Sequence, residues 1–132
     1  MIAIVGLGYV GLPLALAFAR AGLRVVGLDV DAGKVEMLNA GRGYLKHVDT
    51  GDLSELVKAG SFRASSNFAD VATCDGVVIC VPTPLNRHRE PDLSYVLQTG
   101  RSVGPHLRRG ALVVLESTTY PGTTEEDLRT VI

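Results

Sequence analysis

Tryptophan is missing from the 132 residues, aromatic side chains make up only 5% of them, and there are just two cysteines, Cys74 and Cys80. Two cysteines cannot build a disulfide framework, and theirs is not the paired spacing of a zinc site, so neither disulfide nor metal is expected. A surplus of charge is missing too: 13 basic residues stand against 14 acidic ones, a formal net charge of −1. No overall field recruits nucleic acid or an anionic membrane. No apolar run approaches the roughly 20 residues that span a bilayer, and Met1 leads into an apolar strand without the basic flank of a signal peptide. The expected compartment is therefore the cytoplasm. A G-x-x-x-x-G-K-[ST] element is also lacking, which argues against kinase or ATPase chemistry.

What remains is ordinary globular usage, 46% hydrophobic and 20% charged, at the size of one domain. Ile2 to Val5 is a short apolar run that predicts a strand. Val10 to Ala21 is rich in Leu and Ala, stops at Gly22 and predicts a helix, with Pro13 near its fourth position, where a missing N–H costs little. Arg24 to Leu28 predicts the second strand. Asp31 caps a helix running to Asn39, Asp52 with Glu55 starts another over Leu53 to Ala59, and a short third strand lies near Phe62 to Ala64. Gly76 to Val81, continuously apolar, predicts a strand covered on both faces. A proline-rich loop then leads to a helix over Asp92 to His106, weakened by Gly100 and Gly104. Ala111 to Leu115 is the fifth strand, and Thr123 with Glu126 forms a capping box for the last helix. Strands alternating with helices predict an α/β fold, a Rossmann-type doubly wound parallel sheet in three αβα layers, with ligands beyond the strand carboxyl ends.

Gly6-Leu7-Gly8-Tyr9-Val10-Gly11 carries the G-x-G-x-x-G spacing between the first predicted strand and the first predicted helix. Gly6 permits the tight turn, Gly8 lets the backbone approach a pyrophosphate, and Gly11 lets helix and strand pack closely. The helix N-terminus beyond them, with Tyr9 and Val10, offers free N–H donors to phosphate. Asp29 lies eighteen positions past Gly11 at the end of the second strand, where its carboxylate can accept from both adenosine ribose hydroxyls. The same carboxylate repels a 2′-phosphate, so NAD is expected rather than NADP, although Lys34 can reach that edge.

Two further loops leave the sheet on the cofactor side, Val81-Pro82-Thr83-Pro84 and Glu116 through Thr124. With Gly6 to Leu14, Asp29, Val81 to Leu85, Glu90 to Tyr95 and Glu116 to Thr124, the chain resembles the UDP-glucose/GDP-mannose dehydrogenase family, above all its UDP-N-acetylglucosamine 6-dehydrogenases. The resemblance covers residues 1–132 as an N-terminal NAD-binding domain. It implies a linking helix and a sugar-binding domain outside them. It further implies oxidation of a nucleotide sugar's primary alcohol to a carboxylate by two NAD, through a thiohemiacetal and thioester on a cysteine that also lies outside them. The same resemblance makes Val81, Pro82, Thr83, Ser117 and Thr118 cofactor-side residues. Thr118 is the candidate catalytic residue, a neutral hydroxyl that can donate and accept near the reacting carbon. Another NAD-dependent Rossmann oxidoreductase, or an NAD-sensing module without chemistry, shares the glycine loop and Asp29 but leaves the two distal loops unexplained.

Cys80, inside an apolar strand, reads as a small buried hydrophobe, and Cys74 as structural. His47, His88 and His106 lack ligand spacing, and Arg87-His88-Arg89 reads as a solvated loop. Stopping after five strands leaves a sheet edge or helix face open, so self-association into a homo-oligomer is expected to be feasible.

Overall fold

The computed structural model describes all residues, 1–132. Five strands, β1 (Ile2–Val5), β2 (Val25–Leu28), β3 (Phe62–Ser65), β4 (Gly76–Ile79) and β5 (Leu112–Leu115), form one parallel sheet in the order β3-β2-β1-β4-β5. The order reverses direction at β1, which pairs with both β2 and β4, and this is where a doubly wound sheet opens a crevice.

Successive side chains of a strand face opposite sides, and the core divides accordingly. Ile4 joins Leu12 and Leu16 of α1 (Gly11–Arg20), Leu38 of α2 (Ala32–Asn39) and Leu53 of α3 (Leu53–Lys58) on one face. Ala3 and Val5 join Val71, Val96 and Val103 of α4 (Ser94–Val103), and Leu128, on the other. The result is the expected three-layer arrangement. No helix is long and apolar enough to cross a membrane.

The edges are treated differently. At the β3 edge, the Asn39 side chain accepts from Ala64 N–H at 2.8 Å and donates to Ala64 C=O at 2.9 Å, taking the place of a sixth strand there. The outer edge of β5 pairs with no strand, and Leu112 on it is exposed.

Several local expectations need correction. Pro13 occupies the third helical position, because α1 begins at Gly11 rather than Val10. Asp52 makes no cap bond: Arg20 takes both of its carboxylate oxygens, at 2.7 and 2.8 Å. The Thr123–Glu126 capping box does not form. Thr123 is buried, its hydroxyl donates to the Tyr120 carbonyl, and Gly122 in a left-handed conformation leads into a π-helical turn, Thr123–Leu128. The helix expected to His106 ends at Val103 and continues as a 3-10 turn, Gly104–His106. Gly100 and Gly104 have a packing reason to be there: a Cβ would fall 2.6 Å from the Val131 side chain at the first and 2.9 Å from the Ile132 Cα at the second. A further 3-10 helix, Phe68–Thr73, has no counterpart in the sequence reading and fills the connection from β3 to β4.

Candidate functional site

A cleft of about 770 Å³ opens at the carboxyl ends of β1, β2, β4 and β5. Its floor begins with the glycine loop, and the three glycines hold three different geometries. Gly6 has φ +91°, and a Cβ on it would sit 2.8 Å from the Cys80 carbonyl oxygen. A Cβ on Gly11 would overlap the Gly6 carbonyl at 1.7 Å, so this position can only be hydrogen. A Cβ on Gly8 would meet nothing within 4 Å, because that residue faces the open cleft.

The N–H groups of Gly8, Tyr9, Val10 and Gly11 donate to no carbonyl and no side chain, whereas Leu12 N–H already bonds Gly8 C=O at 3.0 Å. Unpaired donors at the start of an α-helix are an anion-binding arrangement. Val10 and Tyr9 are exposed beside them.

Asp29 closes β2 and is only 11% exposed. One carboxylate oxygen accepts Leu7 N–H and the other Asp31 N–H, each at 2.9 Å. A carboxylate has about four acceptor sites, so two remain for hydroxyls arriving from the cleft. Lys34 stands beside it, its Nζ 4.0 Å from Asp29 Oδ2 and 5.5 Å from the centre of the Tyr44 ring. At the other end, the loops after β4 and β5 are bonded to each other. The Ser117 hydroxyl donates to Val81 C=O at 2.7 Å, and the Thr83 hydroxyl donates to Thr118 C=O at 2.6 Å. The Thr118 hydroxyl bonds no protein group, and the residue lines the cleft together with Pro82 and Glu116.

The structure thus brings Gly6, Gly8, Tyr9, Val10, Asp29, Lys34, Val81, Pro82, Thr83, Ser117 and Thr118 around one space, while Gly11 lies beneath it as a packing contact. Phe68, Tyr95, Gln98, Thr99 and Ser102 also line it and were not anticipated. They come from the unforeseen 3-10 helix and from the cleft-facing side of α4, a spacing of three and four residues that the sequence does carry. Arg87, His88 and Arg89 lie in a turn outside the lining. Cys80 is in the lining but nearly closed off, and burial followed by the Glu116 carboxylate pushes its thiol up to about 11. Burial raises the Cys74 thiol as well. At Cys74 burial outweighs the nearby N-terminus and Arg63, and at Cys80 no positive group offsets it, so neither thiol is activated as a nucleophile. No group of three His, Cys, Asp or Glu residues converges as a metal site.

The dimensions and chemistry fit a dinucleotide: hydroxyl acceptors at Asp29, free N–H donors for a diphosphate midway, and a hydroxyl-bearing end at Thr118. Comparison with known proteins agrees. The family model described as "UDP-glucose/GDP-mannose dehydrogenase family, NAD binding domain" matches residues 1–132. The chain is 40% identical to the UDP-N-acetyl-D-glucosamine 6-dehydrogenase of Pseudomonas aeruginosa over 126 residues, 96% of this chain and 29% of that protein. It is 41% identical to the UDP-N-acetyl-D-mannosamine dehydrogenase of Escherichia coli K12, covering 95% of this chain and 29% of that one. The solved structure of the UDP-D-ManNAc dehydrogenase of Pyrococcus horikoshii superposes with a TM-score of 0.90 at 39% identity, over 98% of this chain and 31% of that one. The chain therefore spans under a third of the length of the relatives it matches.

Proposed function

The chain belongs to the UDP-glucose/GDP-mannose dehydrogenase family, and from that membership we propose that residues 1–132 form the N-terminal NAD-binding domain of a nucleotide-sugar 6-dehydrogenase. NAD is the dinucleotide of this family domain. The reaction proposed is oxidation of the primary alcohol of a UDP-sugar, of the N-acetylglucosamine or glucose type, to a uronic acid with two NAD. The observation that carries this reading is the presence around one cleft of Asp29, the unpaired N–H groups of Gly8, Tyr9 and Val10, and Thr118, whose hydroxyl bonds no protein group.

In this reading Asp29 accepts the adenosine ribose hydroxyls, the glycine-loop N–H groups hold the diphosphate, and Lys34 sits at the ribose edge. Val81, Pro82, Thr83 and Ser117 shape the nicotinamide end, and Thr118 orients a water or substrate hydroxyl at the reacting carbon. When bound, NAD supplies the hydride acceptor. The thiol that holds the aldehyde between the two oxidations, and the linking helix and sugar-binding domain, lie outside these residues, since Cys74 and Cys80 are shielded thiols. The loop after β5, whose Glu116, Ser117 and Thr118 line the cleft, favours an enzyme part over an NAD sensor. A cytoplasmic setting and a part in polysaccharide biosynthesis belong to the same proposal, drawn from nucleotide-sugar chemistry. So does homo-oligomerisation, supported by the unpaired outer edge of β5.

Calorimetric titration with NADH tests the proposal, run beside Asp29→Ala and an NADPH control. Saturable NADH binding that Asp29→Ala weakens by about tenfold or more supports it. A folded chain that binds no NADH overturns it. The 132 residues alone are expected to turn over no nucleotide sugar, and turnover by the pure chain would refute the placement of the nucleophile elsewhere.

A further inference from the structure

Leu7, the residue between the first two loop glycines, is held at both ends of its peptide environment. Its N–H goes to Asp29 Oδ2 at 2.9 Å, and its carbonyl accepts the Tyr44 hydroxyl at 2.5 Å. Its side chain is fully buried and lies so close to Gly27 that a Cβ there would come within 2.8 Å of it. Tyr44 is 37 residues away in sequence, in the connection between α2 and α3, and does not line the cleft. Its ring nevertheless carries the Lys34 ammonium at 5.5 Å, on the side where that ammonium also meets Asp29 at 4.0 Å.

We infer that Tyr44 is a positioning residue for the cofactor: its hydroxyl fixes the Leu7 carbonyl and with it the glycine loop, while its ring holds Lys34 back from a 2′-phosphate. The inference rests on the NAD reading of the cleft and extends it to a residue outside the lining. Two functions meet in one side chain. A loop residue held at both its N–H and its carbonyl presents the Gly8 and Tyr9 N–H groups already oriented, so less ordering is left for binding to impose. An ammonium engaged by a carboxylate and a ring face is a weaker partner for an adenosine phosphate than a free one. Burial, then the Asp29 and Asp31 carboxylates, push the Tyr44 phenol up, so it stays a donor across the ordinary pH range.

The two functions separate by substitution in the full chain. Tyr44→Phe keeps the ring and loses the hydroxyl. It should weaken NADH and NADPH alike, by about fivefold, and speed exchange of the Leu7 amide, which is bonded to Asp29, without cofactor present. Tyr44→Leu loses the ring as well, and should raise NADPH affinity relative to NADH by about threefold. That rise should vanish in the Tyr44→Leu, Lys34→Met double variant. On the unsubstituted chain, NADH should shift the Tyr44 ring resonances together with the Gly8 amide, a measurement that needs no variant to fold. Unchanged NADH affinity in folded Tyr44→Phe, an unchanged cofactor ratio in Tyr44→Leu, a rise that survives Lys34→Met, or a silent Tyr44 ring overturns the inference. Failure of the unsubstituted chain to bind NADH is a different result, which overturns the cofactor reading and removes this inference with it.

Discussion

The Thr83 hydroxyl donates to the Thr118 carbonyl at 2.6 Å, so one threonine of the loops after β4 and β5 is consumed in holding the backbone of the other. Thr118 lines the cleft, and its own hydroxyl bonds no protein group. The two residues therefore respond oppositely to loss of an oxygen. Thr83→Val should lower stability by about 1 kcal/mol in denaturant titrations. Thr118→Ala should leave stability within about 0.5 kcal/mol of the parent. In an enzyme that carries the sugar-binding part, it should reduce kcat by more than it changes NAD binding. A stability loss in Thr118→Ala equal to that in Thr83→Val would contradict this assignment.

The glycine loop makes an analogous pair. At Gly11 a methyl group would overlap the Gly6 carbonyl oxygen, so Gly11→Ala should cost about 4 kcal/mol or more and leave little folded protein. At Gly8 the methyl would enter open space. Gly8→Ala should melt close to the parent and still lose about tenfold in NADH affinity, because in the proposed reading the new group stands where the diphosphate approaches. Thermal melts and NADH titration of the two variants check both halves.

Alkaline pH should weaken the fold through Cys80. Its folded-state thiol is raised from 9.0 to about 11, so the folded chain binds that proton more tightly than the unfolded chain does. The associated stability is full below about pH 9 and declines as pH rises through about 11. Cys80→Ala should flatten part of the decline in melting temperature over that range. The half-buried Tyr44 phenol, also raised, accounts for a further part. Iodoacetamide should label native Cys80 very slowly at pH 8, where about one thiol in a thousand is ionised.

Asn39 offers a test far from the cleft. Its amide serves both backbone groups of Ala64 on edge strand β3, at 2.8 and 2.9 Å. Asn39→Leu removes both bonds and should cost about 2 kcal/mol. Asn39→Asp keeps an acceptor but sets a carboxylate against the Ala64 carbonyl, and should cost at least as much. A denaturation series that ranks the aspartate variant as stable as the parent would sink this account.

The sheet, its order of elements and the glycine loop were legible because they depend on short-range patterns: β-branched runs, three glycines at fixed spacing, and Asp29 at a strand end. Two errors came where an unforeseen partner outbid the expected cap bond. Asp52 fits a cap by spacing, yet the Arg20 guanidinium claims it from 32 residues away. Thr123 fits a capping box, yet burial turns its hydroxyl toward Tyr120. The Phe68–Thr73 turn was missed because its apolar spacing is too short to register as a helix. Tyr44 was missed for another reason: nothing near it in sequence hints at a bond to Leu7.

Strand β1 takes its second neighbour from residues 76–79, and the amino group of Met1 bonds the Asp75 carboxylate at 2.8 Å. During synthesis, therefore, β1 emerges well before its second neighbour, and the sheet cannot close at its centre until residues 76–79 have followed. The cleft lies at that seam, so it comes into being only when the two halves join. A dinucleotide arriving earlier finds nothing to hold. One arriving afterwards acts as a ratchet, drawing the population toward the joined state by RT ln(1 + [L]/Kd).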